Sequence, residues 1–382
     1  MSLNRAQTTT GVFTVLLLVL AAVGYFVSIQ ARDAILDSRA GSVSEFSLDP
    51  SAPGFRAFTE PTPVALVLHT GVTGGGADLI GASVLSVADG GEGGAVVTLP
   101  STFKSSPDAI PIGETFRTRG FDAIVDELGA GLRVGFGTVV VLDGSAWTSL
   151  MRADLPLTMT IETDLIDPED RSVLVAAGTR PFNLVDVARI STHRNEGEPP
   201  LGVALRQQEI WRSWISRTAG TADRPDLFEL DTGFSAIIGA LASGEVSYRV
   251  IPTETDAESA VEPEATSYVA VDDEVRDLLA TIVPFPEEAV PGDRPTVMLL
   301  DATLGDIDRL GVSQSVARAG GRVVILGNTN GAPQDRTQVQ VHSDADEAVA
   351  AQIARELGVD APELVPLLDA TAAITVIVAS EG

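Results

Sequence analysis

The chain has 382 residues, of which 45% are hydrophobic and 20% charged, a composition typical of folded proteins and a length that predicts two domains. Its 53 acidic residues against 25 basic ones give a formal net charge of -28, which repels nucleic-acid phosphates and argues against a nucleic-acid partner. Cysteine is absent and the histidines, His69, His193 and His342, are scattered, so disulfides, thiol catalysis and zinc sites are excluded.

An apolar, charge-free segment lies near the amino terminus. Its centre, Val12–Ile29, has 18 residues, which at 1.5 Å per residue nearly spans the hydrocarbon core of a bilayer. The nearest small-x-small cleavage site begins with the bulky Ile29, so we expect the segment to remain as an anchor. The sequence thus predicts a cytoplasmic tail at 1–10 and a single transmembrane helix at 11–29.

The remainder of the chain is expected to lie outside the cell, because Arg5 is on the short side and an acidic segment follows the helix. Residues 30–61 lack periodicity and predict a membrane-proximal spacer. An acidic stretch and then a proline-rich one place a linker at 285–293, between a larger domain at 62–284 and a smaller one at 294–382.

The larger domain is predicted to have an α/β fold, with a mixed sheet and flanking helices. Short apolar runs separated by glycine-rich turns predict strands, and apolar residues at helical spacing predict helices. The predicted strands contain Val64–Leu68, Ser83–Val87, Ala95–Leu99 and Thr138–Leu142, and the predicted helices contain Phe121–Leu128 and Leu201–Ala219.

The smaller domain is predicted to be α+β, with a βαββαβ order of elements that should fold on its own. The predicted elements are, in chain order, Thr296–Asp301, Ile307–Ala319, Arg322–Leu326, Thr337–His342, Ala345–Leu357 and Ala373–Val378.

Familiar catalytic motifs are missing. The glycine run at 74–76 lacks the Lys-Ser/Thr of a phosphate-binding loop, and the only lysine is Lys104. No Gly-x-Ser-x-Gly sequence occurs, which argues against a serine hydrolase.

The most informative stretch runs from Thr192-His193-Arg194-Asn195-Glu196-Gly197 to Arg206-Gln207-Gln208. Arginines offer a planar fork of donors that suits phosphate oxygens, so one interpretation is an anion clamp, and the other is a surface helix with its loop. Arg206 lies about 140° around the helix from Trp211, which predicts that it is off the buried stripe.

These residues resemble the LytR-CpsA-Psr family, and the last ninety residues resemble the LytR C-terminal domain that accompanies it in actinobacteria. Besides the Arg-Gln-Gln helix, the resemblance rests on Asp78-Leu79-Ile80, Thr98-Leu99-Pro100, the segment from Gly120 to Leu150, and Arg294-Pro295-Thr296-Val297. It covers about three quarters of the chain.

The resemblance implies a membrane-anchored cell-envelope phosphotransferase. Members of the family move a glycopolymer from a polyprenyl-pyrophosphate carrier onto peptidoglycan, using arginines on the pyrophosphate and an aspartate with Mg²⁺. By this resemblance Asp78 is the metal-side aspartate and Arg206 is the helix arginine that contacts the pyrophosphate. If the site is active, its pyrophosphate clamp is expected to be rebuilt from Arg194, Arg206 and Arg189. No catalytic residue is assigned.

Several charges of the family pattern are absent here. The family's Pro-Arg-Asp has become Pro100-Ser101-Thr102, and its Asp and Arg before the Arg-Gln-Gln helix have become Pro200 and Val203. The arginine that precedes Asp78 in the family is also replaced. In the smaller domain, the family's Asn-Gly turn is Asp301-Ala302-Thr303.

The sequence therefore predicts an extracytoplasmic membrane protein with a degenerate site, which binds lipid-linked glycan, peptidoglycan or other envelope partners. The alternative is an active transferase that uses Mg²⁺ and a rebuilt clamp. A third interpretation, a structural protein adapted to a saline habitat, explains the acidity but not the Arg-Gln-Gln segment.

Overall fold

The computed structural model describes residues 49–73, 76–151, 156–219, 232–256, 259, 265–303, 307–331, 334–365 and 371–379. The predicted cytoplasmic tail, the predicted membrane segment Val12–Ile29 and most of the predicted spacer lie outside these ranges. Within them, no helix combines the length and the apolar character needed to cross a bilayer.

The strands are, in chain order, β1 (Arg56–Phe58), β2 (Val64–Thr73), β3 (Gly76–Val87), β4 (Gly94–Pro100), β5 (Phe103–Lys104), β6 (Thr138–Leu142), β7 (Leu157–Ile161), β8 (Leu165–Ile166), β9 (Val173–Val175), β10 (Gly178–Phe182), β11 (Val246–Val250), β12 (Thr253–Thr255), β13 (Tyr268–Ala270), β14 (Thr296–Asp301), β15 (Arg322–Asn328), β16 (Gln338–Val341), β17 (Glu363–Leu364) and β18 (Ile374–Val378).

The helices are α1 (Ile112–Arg119), α2 (Phe121–Leu132), α3 (Gly144–Met151), α4 (Leu184–Thr192), α5 (Pro200–Thr218), α6 (Thr232–Ser243), α7 (Asp272–Ile282), α8 (Arg309–Arg318) and α9 (Glu347–Glu356). The mixed α/β class predicted from the sequence is confirmed. The elements of the larger domain that were not predicted include the short strands β7 to β10 and helix α1.

A five-stranded sheet forms the centre of the larger domain, in the order β11-β4-β3-β2-β6. Strand β3 is antiparallel to β2 and β4, whereas β2 pairs with β6 and β4 pairs with β11 in parallel. The sheet is covered on both faces, since α3, α5 and α6 pack on one face and α1, α2 and α7 on the other. Because both faces are buried, its strands contain continuous apolar runs, as in Val64–Leu68.

Aromatic side chains fill the layer beneath α5. Trp147 and Trp211 have ring centroids 4.8 Å apart, and Trp214 lies 5.8 Å from Trp211. His69 of β2 stacks on Trp147 at 5.5 Å, and its Nε2 is 2.9 Å from the Ser83 hydroxyl. Complete burial lowers the pKa of His69 to about 3, so the imidazole is neutral in the folded protein.

The smaller domain is built on a six-stranded sheet of order β1-β15-β14-β18-β16-β17, on which α8 and α9 pack. Its predicted βαββαβ order is present, with the two-residue strand β17 added. Strand β1 comes from the other end of the chain: residues 56–58, within the segment predicted as a spacer, pair antiparallel with β15. One edge of this sheet is therefore completed by residues that precede the larger domain.

Arg294 joins the two domains at the start of the Arg-Pro-Thr-Val segment. Its guanidinium donates to the carbonyl oxygens of Arg133 at 2.9 Å, Ala317 at 3.0 Å and Gly321 at 3.0 Å. Two of these carbonyls, those of Arg133 and Ala317, belong to the carboxyl ends of α2 and α8, where the helix dipole favours a cation. Burial nevertheless lowers the pKa of Arg294 to about 10, so the residue stays charged at neutral pH.

Candidate functional site

The candidate site lies at one edge of the central sheet. Asp78 is near the start of β3, while Ser101 directly follows the end of β4, which is parallel to β2. The carboxyl ends of parallel strands meet at this edge, where α/β proteins commonly bind ligands. The topology of the sheet therefore places Asp78 where a ligand can bind.

A cavity of about 830 Å³ opens at this edge. Four carboxylates and two guanidinium groups are among the side chains that line it, so its charged lining is acidic on balance. The carboxylates belong to Asp78, Glu114, Asp167 and Glu169, and the guanidinium groups to Arg117 and Arg194.

Asp78 is held by an arginine that the sequence analysis did not identify. The Nε atom of Arg117, on α1, lies 3.3 Å from Oδ1 of Asp78. The side chain of Arg117 is 64% exposed and that of Asp78 27%, so solvent reaches both partners. Such an exposed pair contributes about 0–1 kcal/mol to stability, and both groups remain accessible to a ligand.

The three predicted clamp arginines have separate locations. Arg194 lines the cavity with Asp78, and its Nε donates to the carbonyl oxygen of Glu198 at 3.1 Å. Arg189, on α4, is exposed and is not among the residues that line this cavity. Arg206 borders a different cavity of about 670 Å³. The structure thus brings together only Arg194 and Asp78.

The loop at residues 193–199 runs between these two cavities and is held in place by hydrogen bonds. His193 Nε2 donates to the carbonyl oxygen of Ile166 at 2.9 Å. The Asn195 amide bridges to the same region, accepting from Ile166 N at 2.8 Å and donating to Asp164 O at 2.8 Å. These bonds fix the backbone that presents Arg194 to the cavity.

The prediction that Arg206 lies off the buried stripe is wrong. Its side chain is 9% exposed, forms an ion pair with Glu198, whose side chain is 12% exposed, and donates to the carbonyl oxygen of His193. A helical wheel considers only one buried side, but α5 is also covered at its start by the loop that carries Glu198. Arg206 is therefore part of the packing that shapes this loop.

The two glutamines that follow Arg206 are also engaged in the interior. Gln207 Nε2 donates to the carbonyl oxygen of Ser191 at 2.9 Å, and Gln208 Nε2 donates to that of Arg249 at 2.8 Å. The Arg-Gln-Gln segment thus ties α5 to the loop, to α4 and to β11. The side-chain amides of both glutamines thus hold backbone segments together.

Four uncharged residues of the cavity lining occupy positions where the family resemblance predicts charged ones. Ser101, Thr102, Pro200 and Val203 all line the same cavity as Asp78 and Arg194. These are the positions at which the family resemblance leads us to expect Arg, Asp, Asp and Arg. These four departures from the family pattern therefore lie together in the folded chain.

The chain is similar to solved LytR-CpsA-Psr enzymes. A LytR-Csp2A-Psr enzyme from Actinomyces oris is 15% identical, with a TM-score of 0.44 over 58% of this chain and 89% of that one. TagV of B. subtilis is 12% identical, with a TM-score of 0.45 over 58% and 96%. TagT of B. subtilis is 13% identical, with a TM-score of 0.44 over 62% and 91%. No protein-family model and no curated protein matches the chain.

The predicted Mg²⁺ ligand Asp78 supplies one carboxylate. Within the residues that the structure describes, no group of three or more His, Asp or Glu side chains could hold a metal ion. Mg²⁺ takes about six oxygen ligands and is commonly bound by one or two carboxylates together with substrate phosphates and water. A Mg²⁺ ion at Asp78 would therefore need most of its ligands from a bound ligand and from water.

The sequence contains a pattern that predicts helix α1, which carries Arg117. Pro111 precedes α1, Glu114 lies in its first turn, and Arg117 and Arg119 lie in its last turn, which is the charge pattern that complements a helix dipole. The contact with Asp78, 39 residues away in sequence, has no local signal.

Proposed function

We propose that this chain is a cell-envelope protein that binds a lipid-linked glycan or a related envelope glycan in the cavity around Asp78 without transferring it. The observation that carries the proposal is the position of Ser101, Thr102, Pro200 and Val203, which line that cavity where the LytR-CpsA-Psr pattern has charges. Phosphoryl transfer depends on positioning and on neutralising developing charge. A lining with four carboxylates and two arginines is poorly suited to neutralising that charge, which argues against transfer.

The remaining groups suit a polar, hydroxyl-rich ligand with an apolar portion. Ser101 offers a hydroxyl group to a ligand, while Leu79 and Ile80 offer apolar surface. Thr102 and Thr192 donate their hydroxyl hydrogens to Thr266 O and Ala188 O, so they can only accept from a ligand. In the proposal, the two arginines of the lining, Arg117 and Arg194, contact one anionic group of the ligand. In the proposal, the segment Val12–Ile29 anchors the chain in the cell membrane and the cavity faces outward.

Transfer and binding can be separated in one assay. Detergent-extracted full-length protein is incubated with a lipid-linked glycan, Mg²⁺ and peptidoglycan, and native mass spectrometry records bound lipid while chromatography records released polyprenyl phosphate. We expect bound lipid and no release. Release of polyprenyl phosphate that depends on the protein would establish the alternative, an active phosphotransferase.

A pair of variants tests which residues bind. Arg194→Ala should weaken binding by about tenfold or more, because one charge-assisted hydrogen bond contributes roughly 1.5–3 kcal/mol. Arg355→Ala, at an exposed arginine of α9, is the matched control and should leave binding unchanged. Equal binding by the wild type and both variants would contradict binding in this cavity.

Restoring lost charge provides the converse test. Ser101→Arg together with Val203→Arg returns two cations of the family pattern to the lining. If the cavity is the degenerate site, affinity for a short-chain prenyl pyrophosphate with Mg²⁺ should rise by roughly tenfold or more, as measured by calorimetry. An unchanged affinity in a folded variant would mean that these positions do not face the pyrophosphate.

A further inference from the structure

The segment before the larger domain is bound to the smaller domain as an extended peptide. Beyond the register of β1 with β15, Thr59 N donates to Val324 O at 3.1 Å and Asn328 N donates to Phe55 O at 2.9 Å. Gly54 N donates to Thr329 O at 3.1 Å. Residues 54–59 are thus held mainly through main-chain groups, which is the mode of recognition called strand addition.

A buried amide extends this recognition to the residues before the strand. Asn328, 2% exposed, donates from Nδ2 to the carbonyl oxygens of Pro50 at 2.9 Å and Ala52 at 2.8 Å. Its Oδ1 accepts from Arg309 Nη2 at 2.8 Å, and that guanidinium lies 3.5 Å from Asp301 Oδ2. The chain Asp301–Arg309–Asn328 fixes the orientation of the amide, so both of its hydrogens point at the peptide backbone.

Two glycines shape the contact. A Cβ atom at Gly327 would lie 2.4 Å from Phe55 O, so only glycine lets the docked main chain approach β15 this closely. On the docked segment, Gly54 has φ 78° and a Cβ there would lie 2.1 Å from Asn330 Oδ1. Of the two phenylalanines of the segment, Phe58 is 82% exposed and contributes little, whereas Phe55 is half-buried.

We propose that the smaller domain is an acceptor for an extended, glycine-containing peptide, and that residues 49–59 of the same chain occupy it. The segment belongs to the same chain and is held close to the smaller domain. Just after it, Thr62 N donates a hydrogen bond to the carbonyl oxygen of Phe285, at the other end of the larger domain, at 2.8 Å. Such tethering gives a high effective concentration, which favours the chain's own segment over a segment in solution. This inference does not depend on what the Asp78 cavity binds.

Crosslinking tests the occupant. Ala57 lies opposite Leu326, and the chain has no native cysteine, so Ala57→Cys with Leu326→Cys should form a disulfide within one chain. Phe58→Cys with Leu326→Cys is the matched control, because successive strand residues point to opposite faces. An interchain disulfide, seen as a dimer without reductant, would assign the acceptor to a second copy, and equal crosslinking in the two variants would contradict the register.

Emptying the acceptor tests its binding function. Gly54→Val in the full-length chain should expel the segment, so that trypsin cleaves after Arg56 at least roughly tenfold faster than in the wild type, since cleavage follows the open population. Gly331→Ala is the control, because a Cβ there meets nothing within 4 Å. A labelled peptide with the sequence of residues 49–60 should then bind the Gly54→Val protein and not the wild type.

The same peptide with Gly54→Val should not bind. If the segment has been released, as judged by cleavage at Arg56, and the wild-type peptide still shows no change in anisotropy, the smaller domain is not a peptide acceptor. Loss of cooperative unfolding of the smaller domain in the Gly54→Val protein would also overturn the proposal, because the segment would then be part of its core.

Discussion

The cavity around Asp78 and the start of helix α5 lie on either side of the 193–199 loop and use arginine in opposite ways. At the cavity, the Arg117 side chain is 64% exposed, and Arg194 is exposed as well. At the helix start, Arg206 is 9% exposed and its guanidinium is committed to Glu198 and His193. The difference shows that an arginine in a family-like motif can serve the scaffold, and that accessibility separates the two roles.

Replacing Arg206 should have the largest effect on stability. Arg206→Ala would leave Glu198 as an uncompensated carboxylate, 12% exposed, so we expect the free energy of unfolding to fall by about 3 kcal/mol or more. Chemical denaturation measures this change, and Arg212→Ala, an arginine of the same helix that is 49% exposed, is the control. If the free energy of unfolding falls by less than about 0.5 kcal/mol, Arg206 does not stabilise the fold and resembles the cavity arginines instead.

Protonation of His69 should give the next largest effect. Its pKa is about 3 in the folded chain and about 6.5 when unfolded, so between these values the unfolded chain binds a proton that the folded chain does not. Stability should therefore fall as the pH drops below about 6.5, by about 2 kcal/mol at pH 5 relative to pH 7.5. His69→Gln should remove this part of the pH dependence, and identical slopes in both proteins would contradict a buried neutral imidazole.

A smaller loss is expected at Gln208. Gln208→Ala removes the hydrogen bond from a buried side chain to the carbonyl oxygen of Arg249, which should cost about 1–2 kcal/mol in unfolding experiments. Gln314→Ala, which loses a 3.3 Å bond at an exposed site, should cost much less and serves as the comparison. If the two changes have equal effects, the Arg-Gln-Gln segment is not a special part of the scaffold.

The cavity variants should be nearly neutral for stability. Arg117→Ala removes an exposed pair with Asp78, and Arg194→Ala removes an exposed side chain, so each should change the free energy of unfolding by about 0.5 kcal/mol or less. Their effect should appear in ligand binding. A melting temperature that falls as far as that of Arg206→Ala would end the distinction between the two regions.

The sequence was informative where local pattern decides structure. Strand β14 was predicted with the bounds that it has, Thr296–Asp301, because its apolar run directly follows Pro295. Helix α2 begins at the predicted Phe121, just after Gly120, whose φ of 86° marks the turn between helices α1 and α2.

Non-local contacts could not be predicted in the same way. Arg206 is buried by a loop and Arg117 reaches Asp78 across the fold, and neither contact leaves a trace in periodicity. Strand β1 has three residues and pairs with β15, more than 260 positions later, so no local pattern could have assigned it to the smaller domain. Asp78 and Arg194, both named from the family resemblance, line one cavity, whereas Arg206 pairs with Glu198, a contact that the resemblance did not indicate.

The aromatic layer under α5 has an optical consequence. The chain has three tryptophans, Trp147, Trp211 and Trp214, and all of them are buried in this one layer. Intrinsic fluorescence excited at the indole band therefore reports on the larger domain alone, and the smaller domain is silent in that signal. Following the same denaturation by fluorescence and by far-ultraviolet circular dichroism separates the unfolding of the two domains without any label.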